Sequence, residues 1–169
     1  LANHLLKNGK ALLFGGVFFT GPDAERWRDR GLEILLREAD EQILADGGHY
    51  ERSPMYHCIV LEDYLDVVNL LTRNPGLAPA RQVAPLIAAA TRATAFLRGI
   101  LTGAGDIPLF NDAAFGITPA VRELLAYADL VLDLIEEYAP NIRSIIDHRQ
   151  VLTPLDLERR FGISGGNIF

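Results

Sequence analysis

A single cysteine, Cys58, in a chain of 169 residues excludes an internal disulfide and a zinc site built on several thiolates. It lies among apolar residues and reads as a small buried hydrophobe. Clusters of lysine and arginine are missing, the net charge is −6 and the pI is near 5.2, so nucleic acid is not an expected partner. No apolar run approaches the roughly 20 residues of a membrane span, so no membrane partner is expected either. The period-2 alternation that marks strands is nearly absent. The chain opens on Leu1 rather than Met, as in a processed, trimmed or excerpted product. A soluble protein of the bacterial cytoplasm or periplasm is expected, with nothing to choose between the two compartments.

What is present suits one helical domain. Apolar residues make up 49% and charged residues 22%, and this length can bury a sizeable core. Helical periodicity predicts helices over residues 1–19, 22–44, 54–73, 79–101 and 118–138. Thr20-Gly21-Pro22-Asp23 and Asn74-Pro75-Gly76 punctuate them. Gly9, Gly15 and Gly16 weaken the first helix intrinsically and suggest close approach of a neighbour. In the second helix Trp27, Leu32, Ile34, Leu35, Leu36, Ile43 and Leu44 are expected inward, opposite a charged face from Glu25 to Arg30. Residues 103–116 form the longest loop, with Ile107, Leu109, Phe110 and Phe115 as expected anchors. The fold class is therefore all-α, built of antiparallel helical hairpins. The body covers 1–128. Residues 129–169 supply a helix end and an irregular tail packed on it, with a short strand within Ile142–Leu152 and a capped helix at Thr153–Phe161.

The densest chemistry lies between Asp46 and Asp66. This stretch holds His49 and His57, three of the five tyrosines, and the only cysteine and methionine. Asp46-Gly47-Gly48 signals a tight turn. Ser53-Pro54 signals a helix start, with Ser53 as N-cap. Tyr56 and His57 then fall in the first turn, where side chains can lean into a cleft. On residue pattern alone the favoured reading is that they cap a helix bundle, while for Asn3 and His4 a capping Asn and a surface His stand level with a site role.

Asn3-His4 opening a helix, the string Asp46-Gly-Gly-His-Tyr-Glu-Arg-Ser-Pro-Met-Tyr-His57, and Ile107-Pro-Leu-Phe-Asn-Asp-Ala113 together resemble the heparinase II/III class of polysaccharide lyases over residues 1–126. That resemblance implies part of an (α/α)-toroid, without the β-sandwich domain that follows it in the family. Glu136-Glu-Tyr-Ala-Pro-Asn141 and Val151–Phe169 are similar instead to the C-terminal part of phytoene-desaturase-like flavin oxidoreductases. The G-x-G-x-x-G fingerprint that a flavin needs is absent, so no cofactor is expected, flavin or otherwise. No metal is expected. Two partial families in one chain suggest a recombined, engineered or computationally generated sequence.

The first resemblance implies β-elimination on uronic-acid polysaccharides, which makes an acidic polysaccharide the expected partner. The proton beside a charged carboxylate is weakly acidic, so the carboxylate must be neutralised. The resemblance gives that task to Asn3 and His4, and makes Tyr56 first the base and then the acid for the leaving oxygen. Tyrosine has a reference pKa of about 10 and needs a donor or cationic neighbour to act near neutrality. His57 completes the catalytic group, although neighbours in a helix point about 100° apart. Arg52 is expected to meet a substrate carboxylate, with His49 and Glu51 shaping the substrate-binding loop beside it. With half the groove and the β-sandwich missing, and a net charge that repels polyanions, weak or absent turnover is expected. The competing expectation is a non-catalytic helical module binding a protein partner through apolar helix faces left uncovered.

Overall fold

The computed structural model describes residues 2–138. The strand expected within Ile142–Leu152 and the helix expected at Thr153–Phe161 lie outside the described residues. Among the described residues five helices carry the fold: α1 (Ala2–Phe18), α2 (Pro22–Gln42), α3 (Pro54–Arg73), α4 (Ala80–Ile100) and α5 (Val121–Tyr138). Among the described residues the only strand-like pairing is one antiparallel bridge between Ile43 and His49. The all-α class holds.

Glycine sets the spacing of the first hairpin. A Cβ on Gly31 of α2 would stand 2.5 Å from the Leu13 nitrogen and 2.6 Å from the Gly9 carbonyl oxygen. One on Gly16 would meet the backbone of Ala24 and Arg28. The two helices therefore touch backbone to backbone, an approach only glycine permits. Gly15 has no such role, with nothing nearer than a 4.0 Å contact to Trp27.

α3 is the hub. Cys58, Leu61, Tyr64, Leu65 and Val68 are fully buried, and α1, α2, α4 and α5 supply the other walls of one continuous core. Burial raises the Cys58 thiol to about 12, in keeping with a small hydrophobe. Side-chain pairs fix the directions of the helices. Lys7 and Lys10 of α1 meet Asp63, and Lys10 also meets Asp66, so α1 and α3 run in the same direction. His57 at the start of α3 bonds Ala93 late in α4, so those two run oppositely. One end of the bundle thus gathers the starts of α1 and α3, the last turns of α2 and α4, and the segments joining them.

Several large apolar side chains lie outside, Trp27 among those expected inward. Trp27 is 41% exposed and Phe18 81% exposed. They sit at the α1–α2 turn with Phe19, whose ring packs edge-on against both. Leu44, Leu109 and Phe115 are also exposed, leaving Ile107 as the buried anchor of the long loop. α2 ends at Gln42 because Ile43 turns extended to pair with His49. α4 corrects a further expectation, being long and apolar enough to cross a membrane by length and composition alone. Its alanines keep the average apolar although Arg81, Arg92 and Arg98 interrupt the run, and Leu86, Ala89, Ala90, Ala93 and Leu97 are buried in the core.

Candidate functional site

The segment from Ile43 to Ser53 closes the gathered end. Asp46 Oδ1 accepts the Gly48 amide at 2.9 Å, and the Gly47 and Leu44 amides close the reversal onto the Leu44 and Gly48 carbonyls. Gly47 has φ 89°, and a Cβ there would strike the Arg92 carbonyl of α4. One on Gly48 would stand 2.9 Å from the Phe96 ring. The double glycine lets the turn lie directly on α4.

Both histidines of the segment face inward, each 2% exposed. His57 Nδ1 accepts the His49 backbone amide at 3.2 Å, and Nε2 lies 2.9 Å from the Ala93 carbonyl. These partners require a neutral ring protonated at Nε2. His49 Nε2 lies 3.0 Å from Gln42 Oε1, while Gln42 Nε2 donates to Glu38 at 2.7 Å. The amide orientation makes His49 Nε2 the donor and leaves its buried Nδ1 bare, with no hydrogen-bond partner among the described residues. Burial lowers the pKa of each ring to about 4. The neighbouring His57 adds to the effect at His49, whereas the Ala93 bond and Asp46 partly oppose it at His57.

His57, expected in the catalytic group, therefore offers no ring nitrogen to a substrate. It fastens the turn to α4. His49 likewise points into the bundle. Ser53 caps α3 as expected, accepting the Tyr56 amide at 3.4 Å. Tyr56 is half-buried, and its hydroxyl meets no partner among the described residues. The Arg52 guanidinium is exposed and equally unengaged among them. Glu51 is half-buried, Asn3 is half-buried and His4 exposed. Asn3 and His4 begin α1 one turn before Lys7, at the same end of the bundle as Tyr56.

Arg52 has φ 56°, a left-handed conformation that costs a residue with a Cβ about 1–2 kcal/mol. Its amide donates to the His49 carbonyl at 2.9 Å, and its carbonyl accepts from Asn111 Nδ2 at 3.0 Å. Asn111 and Asp112 are left-handed too, at φ 49° and 64°. All three non-glycine residues with positive φ among those described thus lie at the meeting of two loops. Asn111 was visible only as part of a matched string, with no sign of its partner.

A second polar cluster went unread in the sequence. Asp63 is 1% exposed, with Lys7 Nζ at 2.8 Å and Lys10 Nζ at 2.8 Å. Tyr127 of α5 donates to Asp66 at 2.8 Å and accepts from Asn69 at 3.3 Å. Burial and the bond to Asp66 push the Tyr127 hydroxyl up to about 12. Burial disfavours the Lys10 charge, yet the two aspartates outweigh it and raise its pKa. These pairs hold α1, α3 and α5 in register. The phase of Asp63, between Val60 and Val67 on the inner face of α3, was the available signal.

A heparin-sulfate lyase of Bacteroides thetaiotaomicron is 28% identical over 120 residues, 66% of this chain and 17% of that protein. Those of Bacteroides stercoris and Pedobacter heparinus are 33% and 39% identical over 69 and 64 residues, 40% and 37% of this chain. The chain spans only 10–17% of the length of these lyases. A rat protein, pyridine nucleotide-disulfide oxidoreductase domain-containing protein 2, is 58% identical over 43 residues, 25% of this chain and 7% of its own length. No solved structure matches significantly. The model of the family described as heparinase II/III N-terminus matches residues 1–129, most of the chain, and this protein belongs to that family.

Proposed function

We propose that the chain is the helical, partial-toroid portion of a lyase that cleaves uronic-acid polysaccharides by β-elimination, and that by itself it recognises acidic polysaccharide with little or no turnover. The observation carrying this reading is the split at the bundle end. The Tyr56 hydroxyl and Arg52 guanidinium are unengaged among the described residues, beside buried histidines whose hydrogen bonds hold the turn. Arg52 meets an acidic group of the sugar. Asn3 and His4 neutralise the uronate carboxylate, which makes the adjacent carbon acid. Tyr56, as phenolate, takes that proton; the electron pair moves toward the carboxylate, then forms the new double bond as the glycosidic oxygen leaves. Tyr56 returns the proton to that oxygen. His57, His49 and Glu51 shape the loop.

The test is incubation with heparan sulfate fragments, reading the ultraviolet absorbance of unsaturated uronate ends alongside binding. Binding that weakens at least tenfold in Arg52→Ala, with any absorbance abolished in Tyr56→Phe, is the expected result. Absorbance unchanged in Tyr56→Phe removes Tyr56 as the base, and absence of binding removes the whole reading.

The exposed Phe18–Phe19–Trp27 cluster favours a second reading, a protein-interaction module. Trp27 is the only tryptophan, so shielding of its fluorescence from acrylamide by an added protein tests that face. The two kinds of relative support a chimeric, engineered or generated origin, a reading that one natural family carrying both parts would remove.

A further inference from the structure

We propose that Asn111 is a positioning residue that aims Arg52 at the acidic group of the bound sugar. The inference rests on the lyase reading above and assigns a role to the long loop, which that reading leaves idle. Arg52 occupies a backbone conformation unfavourable for its type, so something must hold it there. Both faces of the residue are held from different segments. Its amide is tied to His49 within its own turn, and its carbonyl is tied to Asn111, 59 residues away.

Asn111 suits the task on two counts. Asparagine tolerates φ 49° better than most residues with a Cβ, and its amide nitrogen reaches across to the strained peptide. The guanidinium has no partner among the described residues to aim it. The backbone sets the Cα–Cβ vector from which the side chain reaches the sugar, and the backbone is set by this clamp. Ile107, the buried residue of the loop, anchors the clamp to the core four positions earlier.

Two variants separate this role from a plain turn. Asn111→Gly keeps the positive φ at no cost and removes only the amide. Asn111→Asp keeps the shape but sets a carboxylate oxygen against the Arg52 carbonyl. Binding of a heparan sulfate tetrasaccharide to the full chain is expected to weaken about fivefold in both, the worth of one modest hydrogen bond. Neither variant should weaken binding further in an Arg52→Ala background. Amide exchange at Arg52 should quicken in both, while exchange over Leu61–Leu71 stays unchanged.

Binding equal to the parent in both variants overturns the proposal, as does an Asn111→Gly loss of the same size with and without Arg52. If the parent chain binds no tetrasaccharide, the lyase reading fails, and exchange alone decides the clamp. An Arg52 amide that exchanges at the parent rate in Asn111→Gly overturns it there too.

Discussion

The α1–α2 hairpin and the segment from Ile43 to Ser53 both bring backbones into close contact, by opposite means. The hairpin does it by subtraction: Gly9, Gly16 and Gly31 remove side chains, and none of the three carries a titratable group. The segment does it partly by subtraction, at Gly47 and Gly48, and partly by buried hydrogen bonds through His49 and His57. A steric joint answers to volume and ignores protons. A polar joint answers to both, because His57 must remain neutral to accept the His49 amide and burial disfavours charge on either ring.

Among single substitutions the largest effect should come from His57→Ala. It leaves the His49 amide without its acceptor and opens a cavity beside Phe96, for a loss of about 4 kcal/mol in urea unfolding. A loss below about 1 kcal/mol would mean that the ring does not fasten the turn.

Acid should separate the joints next. Each ring has a pKa of about 4 in the folded chain against about 6.5 when unfolded. Between those values the unfolded chain binds more protons. Stability is therefore complete above pH 6.5 and falls as the pH drops toward 4, by about 3 kcal/mol per histidine at the limit. His57→Phe should remove close to half of that pH-dependent part. An unchanged pH profile in His57→Phe would place the titration elsewhere.

Gly31→Ala attacks the other joint. Overpacking against Leu13 and Gly9 should outweigh the gain in helix propensity and cost about 2 kcal/mol net, with the pH profile between 4 and 6.5 unaltered. A neutral or stabilising alanine would show that the helices part easily. The smallest effect belongs to Ser53→Ala, which removes a long cap bond and should cost about 1 kcal/mol or less. A loss above 2 kcal/mol would show that Ser53 does more than cap α3.

The helices were legible because their punctuation is local. Ser53-Pro54 and Pro22 mark starts, and Asn74-Pro75-Gly76 marks a stop. Gly9 and Gly16 were readable as contact points because several glycines in one helix stand out, while Gly31 is a lone glycine in α2 and drew no notice. Trp27 misled because its bulk argues for burial, whereas its place beside the α1–α2 turn leaves it outside the core. At the candidate site the sequence set Tyr56 and His57 side by side, and the 100° step between them sent one to the rim and one to the interior. The phase was there to be read. His57 shares a stripe with Leu61, Tyr64, Leu65 and Val68, all buried. The Asn111–Arg52 bond was beyond reach, because no local pattern announces a contact across 59 positions.

α5 runs unbroken from Val121 to Tyr138, across residue 129, where the match to the heparinase II/III family ends. Val121, Leu124 and Ala128 are buried before that point, and Val131, Leu132 and Ile135 after it. Any two sequences joined inside a helix share a rotational frame, as two gears share a tooth count. One extra residue after Tyr127 would turn everything downstream by about 100°, swinging Leu132 and Ile135 away from the core. A join in a loop tolerates any length; one inside α5 would tolerate only those that keep the phase.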